Sequence, residues 1–383
     1  MEIKNLKKLS QRIKKAIKNK ERIILYADAD MDGISSAIIL SEAIENLGGR
    51  VFSFYFPSRE REGYGLNFIA LKKIKKFAPA FLITLDCGIS NFEEVEEAKR
   101  LGFEVVVADH HQPLGRLPKA SIVVDPKQKG DKYPFKELAN TGIIFKLAQL
   151  LLKDKMTDHL RKDFLELTAL ATMVDMMPRV NENKLFIDEG ILSLKESWRP
   201  GIQALFTLKA VKQARNYNSA LSQIISILSV VEEINGLPAI YLLLRAPSLK
   251  EAKEIAEKLA LRKKERQKEL FRIVSLLQEK ISSQEPLIFE QDPAWEVALI
   301  GGIASRLYQK YKKPVFLIAR RRGKSRGAVR TPEDVNGVDL MKKCSKYLLS
   351  YGGHPRAGGF LIENKKIKDF KACLAKQLLK RKN

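Results

Sequence analysis

Four short acidic clusters recur in the first half of this chain: Asp28-Ala29-Asp30-Met31-Asp32-Gly33, Leu85-Asp86-Cys87-Gly88, Ala108-Asp109-His110-His111 and Met173-Val174-Asp175. Each reads as following an apolar, strand-like run. In an α/β protein the carboxyl ends of parallel strands are where ligands bind, so residues distant in sequence can meet there. Several carboxylates and a histidine converging on one point would repel each other unless a divalent cation lay between them. The clusters therefore point to a metal site, and to one with ligands enough for two ions. Asp30 and Asp32 are spaced so that a turn can aim both carboxylates to one side, and Gly33 admits a tight passage into the next helix. Asp86 and Asp109 end later strands. Of the four histidines, His110 and His111 are adjacent at a strand end, while His159 and His354 stand apart. Imidazole and carboxylate together suit Mn2+, Zn2+ or Fe2+. Taken singly, an Asp after a strand is most often a helix N-cap; it is the recurrence, with the His pair, that favours a metal.

The elements that must position these residues alternate. Arg22–Ala27, Val51–Phe56, Ala80–Leu85, Phe103–Ala108 and Ser121–Val124 read as strands. Ile34–Leu47, Leu66–Phe77, Phe92–Leu101, Asn140–Leu152 and Leu160–Met173 read as helices, and residues 1–21 as a basic amphipathic helix. This alternation predicts an α/β fold with a doubly wound parallel sheet. Residues 176–247 look mostly helical, and Leu249–Ser283 forms a long charged helix with one apolar stripe, enough to link two lobes. After Glu285-Pro286 a smaller α/β unit begins, with strands expected at Leu287–Phe289, Val297–Ile300, Val315–Ala319 and Gly359–Ile362. The expected division is a catalytic domain over 1–190, a helical connector over 191–284 and a second domain over 285–383, with the active-site cleft between the lobes.

Composition narrows the partners. The 383 residues are 45% hydrophobic and 30% charged, as in an ordinary globular protein, but the net charge is +24. Such an excess attracts polyanions and releases their counterions. Lys312–Arg330 holds eight Lys or Arg and no acid, and Lys365–Asn383 holds eight against one Asp. A solvated Lys-rich surface is the plain alternative for the tail. The first 22 residues carry nine Lys or Arg, unlike a signal peptide, and no apolar run approaches the roughly 18 residues of a membrane span. Cys87, Cys344 and Cys373 form no CxxC pair, so a reducing cytoplasm is expected and a disulfide framework is not.

The four clusters resemble the motifs of the DHH phosphoesterases: Asp30-Met31-Asp32-Gly33, Asp86-Cys87-Gly88-Ile89, Asp109-His110-His111 and Ala171-Thr172-Met173-Val174-Asp175. Further likeness runs in the order typical of RecJ single-strand exonucleases. Pro57-Ser58-Arg59 with Glu62-Gly63-Tyr64-Gly65-Leu66 resembles their PxR…EGYGL loop, and residues 295–314 resemble their second-lobe opening. Gly352-Gly353-His354-Pro355 with Ala357-Gly358-Gly359 resembles the GGH motif of the second lobe, called DHHA1. The likeness spans roughly residues 10–362.

The resemblance implies two divalent ions, Mn2+ preferred and Mg2+ as the alternative, held by Asp30, Asp32, Asp86, His110 and Asp175, with Asp86 bridging. It implies that Asp109 orients His110, that His111 meets the scissile phosphate or protonates the leaving oxygen, and that Asp28 supports the ligands or caps the helix. Many relatives carry a histidine four positions before the first motif, where this chain has Tyr26. On the nucleic-acid side it implies phosphate contacts from Arg59, from Arg326 and Arg330 in Arg326-Gly327-Ala328-Val329-Arg330, and from Gly352, Gly353 and His354. The chain departs from the family in three places. Glu232-Glu233-Ile234-Asn235-Gly236-Leu237-Pro238 replaces an arginine-bearing segment, Trp295-Glu296-Val297-Ala298 replaces WHPG, and this sequence ends soon after the GGH region, so the family's C-terminal OB-fold is not expected in it.

The leading expectation is a metal-dependent exonuclease that hydrolyses single-stranded nucleic acid, 5′→3′ on DNA, in DNA repair and recombination. A single-strand-binding protein or a helicase would be a natural partner, and no membrane is involved. The alternatives are an oligoribonuclease, a dinucleotide or 3′-phosphoadenosine-5′-phosphate phosphatase of the same superfamily, and a catalytically weak replication or repair scaffold.

Overall fold

The structure is a computed structural model that describes residues 2–281 and 285–380. The chain divides into two compact units, Met1–Lys263 and Lys264–Asn383.

In the first unit the chain runs α1 (Leu6–Lys18), β1 (Ile23–Ala27), α2 (Met31–Asn46), β2 (Val51–Tyr55), α3 (Phe68–Ile74), β3 (Ala80–Leu85), α4 (Phe92–Arg100), β4 (Phe103–Ala108), β5 (Ile122–Val124), α5 (Asn140–Leu152) and α6 (Asp158–Val174). The five strands pair in parallel in the order β2-β1-β3-β4-β5. Every residue of β1 is buried, as is all of β3 after Ala80. That follows from helices covering both faces, which is why these strands read as continuous apolar runs rather than alternating ones. On one face α1, α2, α5 and α6 pack Leu9, Ile38, Ile144 and Leu167 against the sheet; on the other lie Leu71, Val95 and Ala98 of α3 and α4. This strand order reverses direction at β1 and β3. Connections leave these two strands on opposite sides, opening a crevice at their carboxyl ends.

The unit continues with α7 (Asn181–Ser193), α8 (Pro200–Thr207), α9 (Lys209–Lys212), α10 (Tyr217–Leu228), the hairpin β6 (Glu233–Ile234) and β7 (Leu237–Pro238), and α11 (Ala239–Leu244). Then comes α12 (Leu249–Gln278). Its Ala252, Ala256 and Leu259 join the core of the first unit, while Ile273, Val274 and Leu277 join a core of the second. Ser282 and Ser283, expected in this helix, lie outside the described residues, as do residues 381–383 of the basic tail.

The second unit holds β8 (Ile288–Asp292), α13 (Val297–Tyr311), β9 (Val315–Ala319), β10 (Lys324–Arg330), α14 (Gly337–Lys343), β11 (Leu348–His354), β12 (Ala357–Glu363) and α15 (Ile367–Leu379). Its sheet order is β11-β12-β10-β9-β8, with only β8 and β9 parallel. Two expectations need correcting, and one strand was not foreseen. Val297–Ile300 opens a helix, not a strand: Leu299, Ile300, Ile303, Ala304 and Leu307 are its buried residues, a 3.6-residue period that a four-residue window cannot reveal. The basic stretch around Arg326 is a central strand, β10. Its inward positions are Ser325, Gly327 and Val329, too polar or small to read as one, and a Cβ at Gly327 would overlap the Phe360 ring at 2.0 Å. Finally, Cys344 and Cys373 form a disulfide, with Cα atoms 6.1 Å apart. They stand 29 residues apart in sequence, and only the packing of α14 against α15 brings them together.

Candidate metal centre

β1 delivers the first acids at the crevice. Asp30 caps α2, its Oδ1 accepting from the backbone N–H groups of Asp32 (3.1 Å) and Gly33 (3.2 Å). Capping uses Oδ1 alone, and Oδ2 points away from the helix to Arg59 at 2.7 Å. A Cβ at Gly33 would lie 2.4 Å from the Asp28 carbonyl oxygen, so the turn closes only around glycine. Asp32 faces the other way, into the N-terminus of α5. Its oxygens accept from Asn140 N (2.7 Å), Thr141 N (2.8 Å) and the Thr141 hydroxyl. First-turn amides have no intrahelical acceptor, and their partial positive charge suits a carboxylate.

Asp86 follows β3 with φ 59, in the left-handed region that a non-glycine residue occupies at a cost. Asp109 follows β4, with its Oδ2 accepting from Ile89 N (3.0 Å). The fourth cluster does not follow a strand: Asp175 is the C-terminal cap of α6.

These residues meet. His110 Nε2 lies 3.2 Å from Asp86 Oδ1, 3.6 Å from Asp175 Oδ2 and 3.7 Å from Asp32 Oδ2. His110 Nδ1 is 3.0 Å from the Leu138 carbonyl. A carbonyl only accepts, so Nδ1 carries the proton and the Nε2 lone pair faces the carboxylates, the form in which imidazole ligates metals. Among the described residues, ligand atoms gather in three overlapping sets: Asp86, His110 and His111; Asp32, His110 and Asp175; and Asp28, Asp30 and Asp86. Asp86 and His110 each belong to two sets, as residues between two neighbouring ions would.

The electrostatics suit a bound cation. Among the described residues, Asp86 Oδ1 and Asp175 Oδ2 are buried without a hydrogen-bond partner. Burial first, then the charges of Asp32 and Asp30, push Asp175 up to about 8 and raise Asp86 well above the carboxylate range. Burial likewise lifts Asp32 to about 6, against its hydrogen bonds from Thr141 and Asn140. Buried acids that resist ionisation while aiming bare oxygens at a common point fit divalent cations.

The imidazole that Asp109 orients is His111, not His110 as expected. Asp109 Oδ1 accepts from His111 Nδ1 (2.8 Å) and from both backbone N–H groups of the pair, whereas Leu138 supplies the acceptor for the His110 ring. Burial works against charge on His111, but Asp109 outweighs it and pushes the imidazolium up to about 9. The Tyr64 hydroxyl lies 3.3 Å from both His111 ring nitrogens and donates to the Asp86 carbonyl at 3.3 Å. Arg59 takes up Asp28 through Nε (3.0 Å) and Nη2 and reaches Asp30 Oδ2 at 2.7 Å, so its charge is answered within the acid cluster. Tyr26, in place of a histidine, is buried and donates to the Gly65 carbonyl at 2.9 Å, anchoring the loop that carries Tyr64.

Sequence reasoning missed several supports. Lys127, its side chain 8% exposed, donates to the His110 carbonyl at 2.8 Å and pairs with Glu137 at 3.3 Å. Leu138 acts through its carbonyl and Asn140 through its backbone N–H, which leave no mark in residue type, while Thr141 adds its hydroxyl to its backbone N–H. The start of α5 is itself buried, with Asn140 and Thr141 both inaccessible to solvent.

In the second unit, Arg326 and Arg330 lie on one face of β10. Arg330 Nε donates to Ser305 of α13 at 2.9 Å, while the Arg326 guanidinium has no hydrogen-bond or ionic partner among the described residues. Burial lowers both pKa values. Gly352, Gly353 and His354 end β11 at its hairpin with β12, where Gly353 has φ 124.

Known proteins resemble this chain in sequence and fold. A model of the DHH family, N-terminal domain, matches residues 22–172, and one of the DHHA1 domain matches residues 284–380. The chain is 33% identical over 381 residues to the single-stranded-DNA-specific exonuclease RecJ of Bacillus subtilis (strain 168), covering 97% of this chain and 48% of that protein. It is 28% identical to the RecJ of Thermus thermophilus, covering 97% and 54% respectively. The chain thus spans about half the length of these relatives. A crystal structure of exonuclease RecJ bound to manganese superimposes with a TM-score of 0.78 at 26% identity, covering 99% of this chain and 95% of that one. Residues 22–172 are therefore a DHH-family N-terminal domain and residues 284–380 a DHHA1 domain, in a chain similar to the RecJ exonucleases.

Proposed function

We propose that this chain is a metal-dependent exonuclease of single-stranded nucleic acid, acting on DNA from the 5′ end. The observation that carries the reading is the pair of bare buried oxygens, Asp86 Oδ1 and Asp175 Oδ2, converging with the His110 lone pair. Relatives named as single-stranded-DNA-specific exonucleases, and one solved with manganese, support the substrate and the metal.

Asp30, Asp32, Asp86, His110 and Asp175 would hold two ions, Mn2+ or Mg2+, with Asp86 between them. Bound there, the ions supply Lewis acidity toward the phosphoryl group and toward the attacking water. The other residues bind, orient and carry the proton. Leu138 and Lys127 fix the His110 segment from its ring and its carbonyl. Asp109 and Tyr64 hold His111 beside Asp86, 3.8 Å from Oδ1, where it can meet the scissile phosphate and hand a proton to the leaving oxygen. Asp28 and Arg59 brace Asp30. In this reading residues 1–190 carry the chemistry, 191–284 connect, and 285–383 bind the strand. Arg326 suits a phosphate contact because it is half-buried with no partner among the described residues, and Arg330, Gly352, Gly353 and His354 would extend that contact. No helix of the described residues is long and apolar enough to cross a membrane.

The test is Mn2+-dependent digestion of a single strand labelled separately at its 5′ and 3′ ends, with a dinucleotide run alongside. Mononucleotide released first from the 5′ label supports the reading. Release from the 3′ label overturns the polarity. Turnover of the dinucleotide alone moves the protein to small substrates, and no turnover of either leaves only a scaffold.

A further inference from the structure

The loop between β2 and α3 touches the acid cluster at two points, Arg59 on Asp28 and Asp30, and Tyr64 on His111. Between them Arg61 does something different. Its guanidinium pairs with Glu233 of β6. The hairpin that presents Glu233 is well defined: its turn, Asn235-Gly236, has φ 53 and 81, both positive as a two-residue type I′ connection requires. Its other acid, Glu232, accepts from Arg262 Nε of α12 at 3.1 Å. The hairpin is thus held from α12 and offers one carboxylate to the loop beside the metal centre.

The Arg61 pair is wet. The Arg61 side chain is 69% exposed and that of Glu233 33%. Ion pairs in such surroundings bias an equilibrium by about fivefold or less, so another anion can take the guanidinium. A guanidinium fork accepts two oxygens of a carboxylate or of a phosphate in the same geometry. Arg61 also stands two residues from Arg59, within about 7 Å of backbone, in the loop that contacts the acid cluster through Arg59 and Tyr64.

We propose that Arg61 is a phosphate-binding residue for the incoming strand and that Glu233 is its resident competitor. The two anions exchange at one guanidinium. A strand carries many phosphates and releases counterions as it docks, so it displaces Glu233; a small monoanionic ester competes less well. The pair thereby favours polymers over short substrates. This inference rests on the reading of the chain as a single-strand nuclease.

The experiment measures binding of a fluorescent thymidine oligonucleotide by anisotropy, in EDTA so that no hydrolysis occurs, from about 50 to 200 mM salt. Glu233→Gln is expected to tighten binding about two- to fivefold. Arg61→Gln should weaken it and reduce the salt slope by roughly 0.7. In the double variant the gain from Glu233→Gln should vanish, because its target is gone. Glu189→Gln, which breaks the Arg161–Glu189 pair on α7 with the same change in net charge, is the control and should leave affinity nearly unchanged. The stabilisation by Mn2+ should be equal in all variants, showing an intact acid cluster. If Glu233→Gln tightens binding no more than the control, or does so equally without Arg61, the competition is refuted while the nuclease reading stands. If the wild type neither binds nor cleaves any strand, both fall.

Discussion

Replacing Asp175 by Asn separates a metal ligand from a structural carboxylate, because the two roles predict opposite signs. In the protein Asp175 is lifted from an ordinary value of 3.8 to about 8, by burial and by Asp32 and Asp30. A carboxyl raised in this way is favoured when protonated, so the folded state holds a proton that the unfolded state has lost. Stability is then greatest at low pH and falls as pH rises from about 4 to 8. At pH 7 about three units of that span have been crossed, at roughly 1.4 kcal/mol each, which sets an upper bound of ~4 kcal/mol. Neighbouring acids share the penalty, so the expected gain from Asp175→Asn in EDTA at pH 7 is on the order of 2 kcal/mol, or roughly 4–8 °C in Tm. The gain should disappear near pH 4. With Mn2+ the order reverses. The wild type gains about 2.7 kcal/mol at a concentration 100 times its Kd, and the variant, short of one ligand, gains much less. Thermal melts at pH 4, 7 and 8, with EDTA or Mn2+, measure all four quantities. A variant less stable than wild type in EDTA at pH 7, or one that keeps the full Mn2+ gain, would refute the reasoning.

Asp86→Ala should abolish Mn2+-dependent hydrolysis, since Asp86 belongs to two of the three ligand sets; activity within tenfold of wild type would remove it from the bridging position. Arg330→Ala should weaken strand binding and lower its salt slope by roughly 0.7 without altering metal content, which anisotropy and metal analysis can check. Glu166, on α6, has a buried Oε2 without a hydrogen-bond partner among the described residues, and burial lifts it to about 7. By the same sign, it costs stability as pH rises from about 4.5 to 7. Glu166→Gln should therefore raise Tm at pH 8 by several degrees and leave it unchanged at pH 4, with activity intact; equal shifts at both pH values would point to packing instead.

Much of the centre was legible in the chain because its ligands are local events. Asp30 with Asp32, Asp86, and Asp109 with His110 each fall directly after a strand whose unbroken apolar run marks it as buried on both faces, and the parallel order gathers those strand ends. Residue type and spacing therefore determined which groups could bind a cation. What they do for one another was decided only by tertiary structure. Leu138, 28 residues beyond His110, selects its tautomer, and Asn140 and Thr141, more than 100 residues beyond Asp32, hold that carboxylate. Asp109 turned to His111 because that ring, not its neighbour's, lies within reach of Oδ1. Arg59 went to the acids and Arg61 to Glu233, choices a loop sequence cannot express. In the second unit the same limit applied to short segments. Val297–Ile300 is apolar enough for either strand or helix, β10 owes its place to partners on both sides, and Cys344 meets Cys373 only across packed helices. Covalent neighbours set what a residue is able to do, but hydrogen bonds and burial come from residues that meet only after the chain has folded.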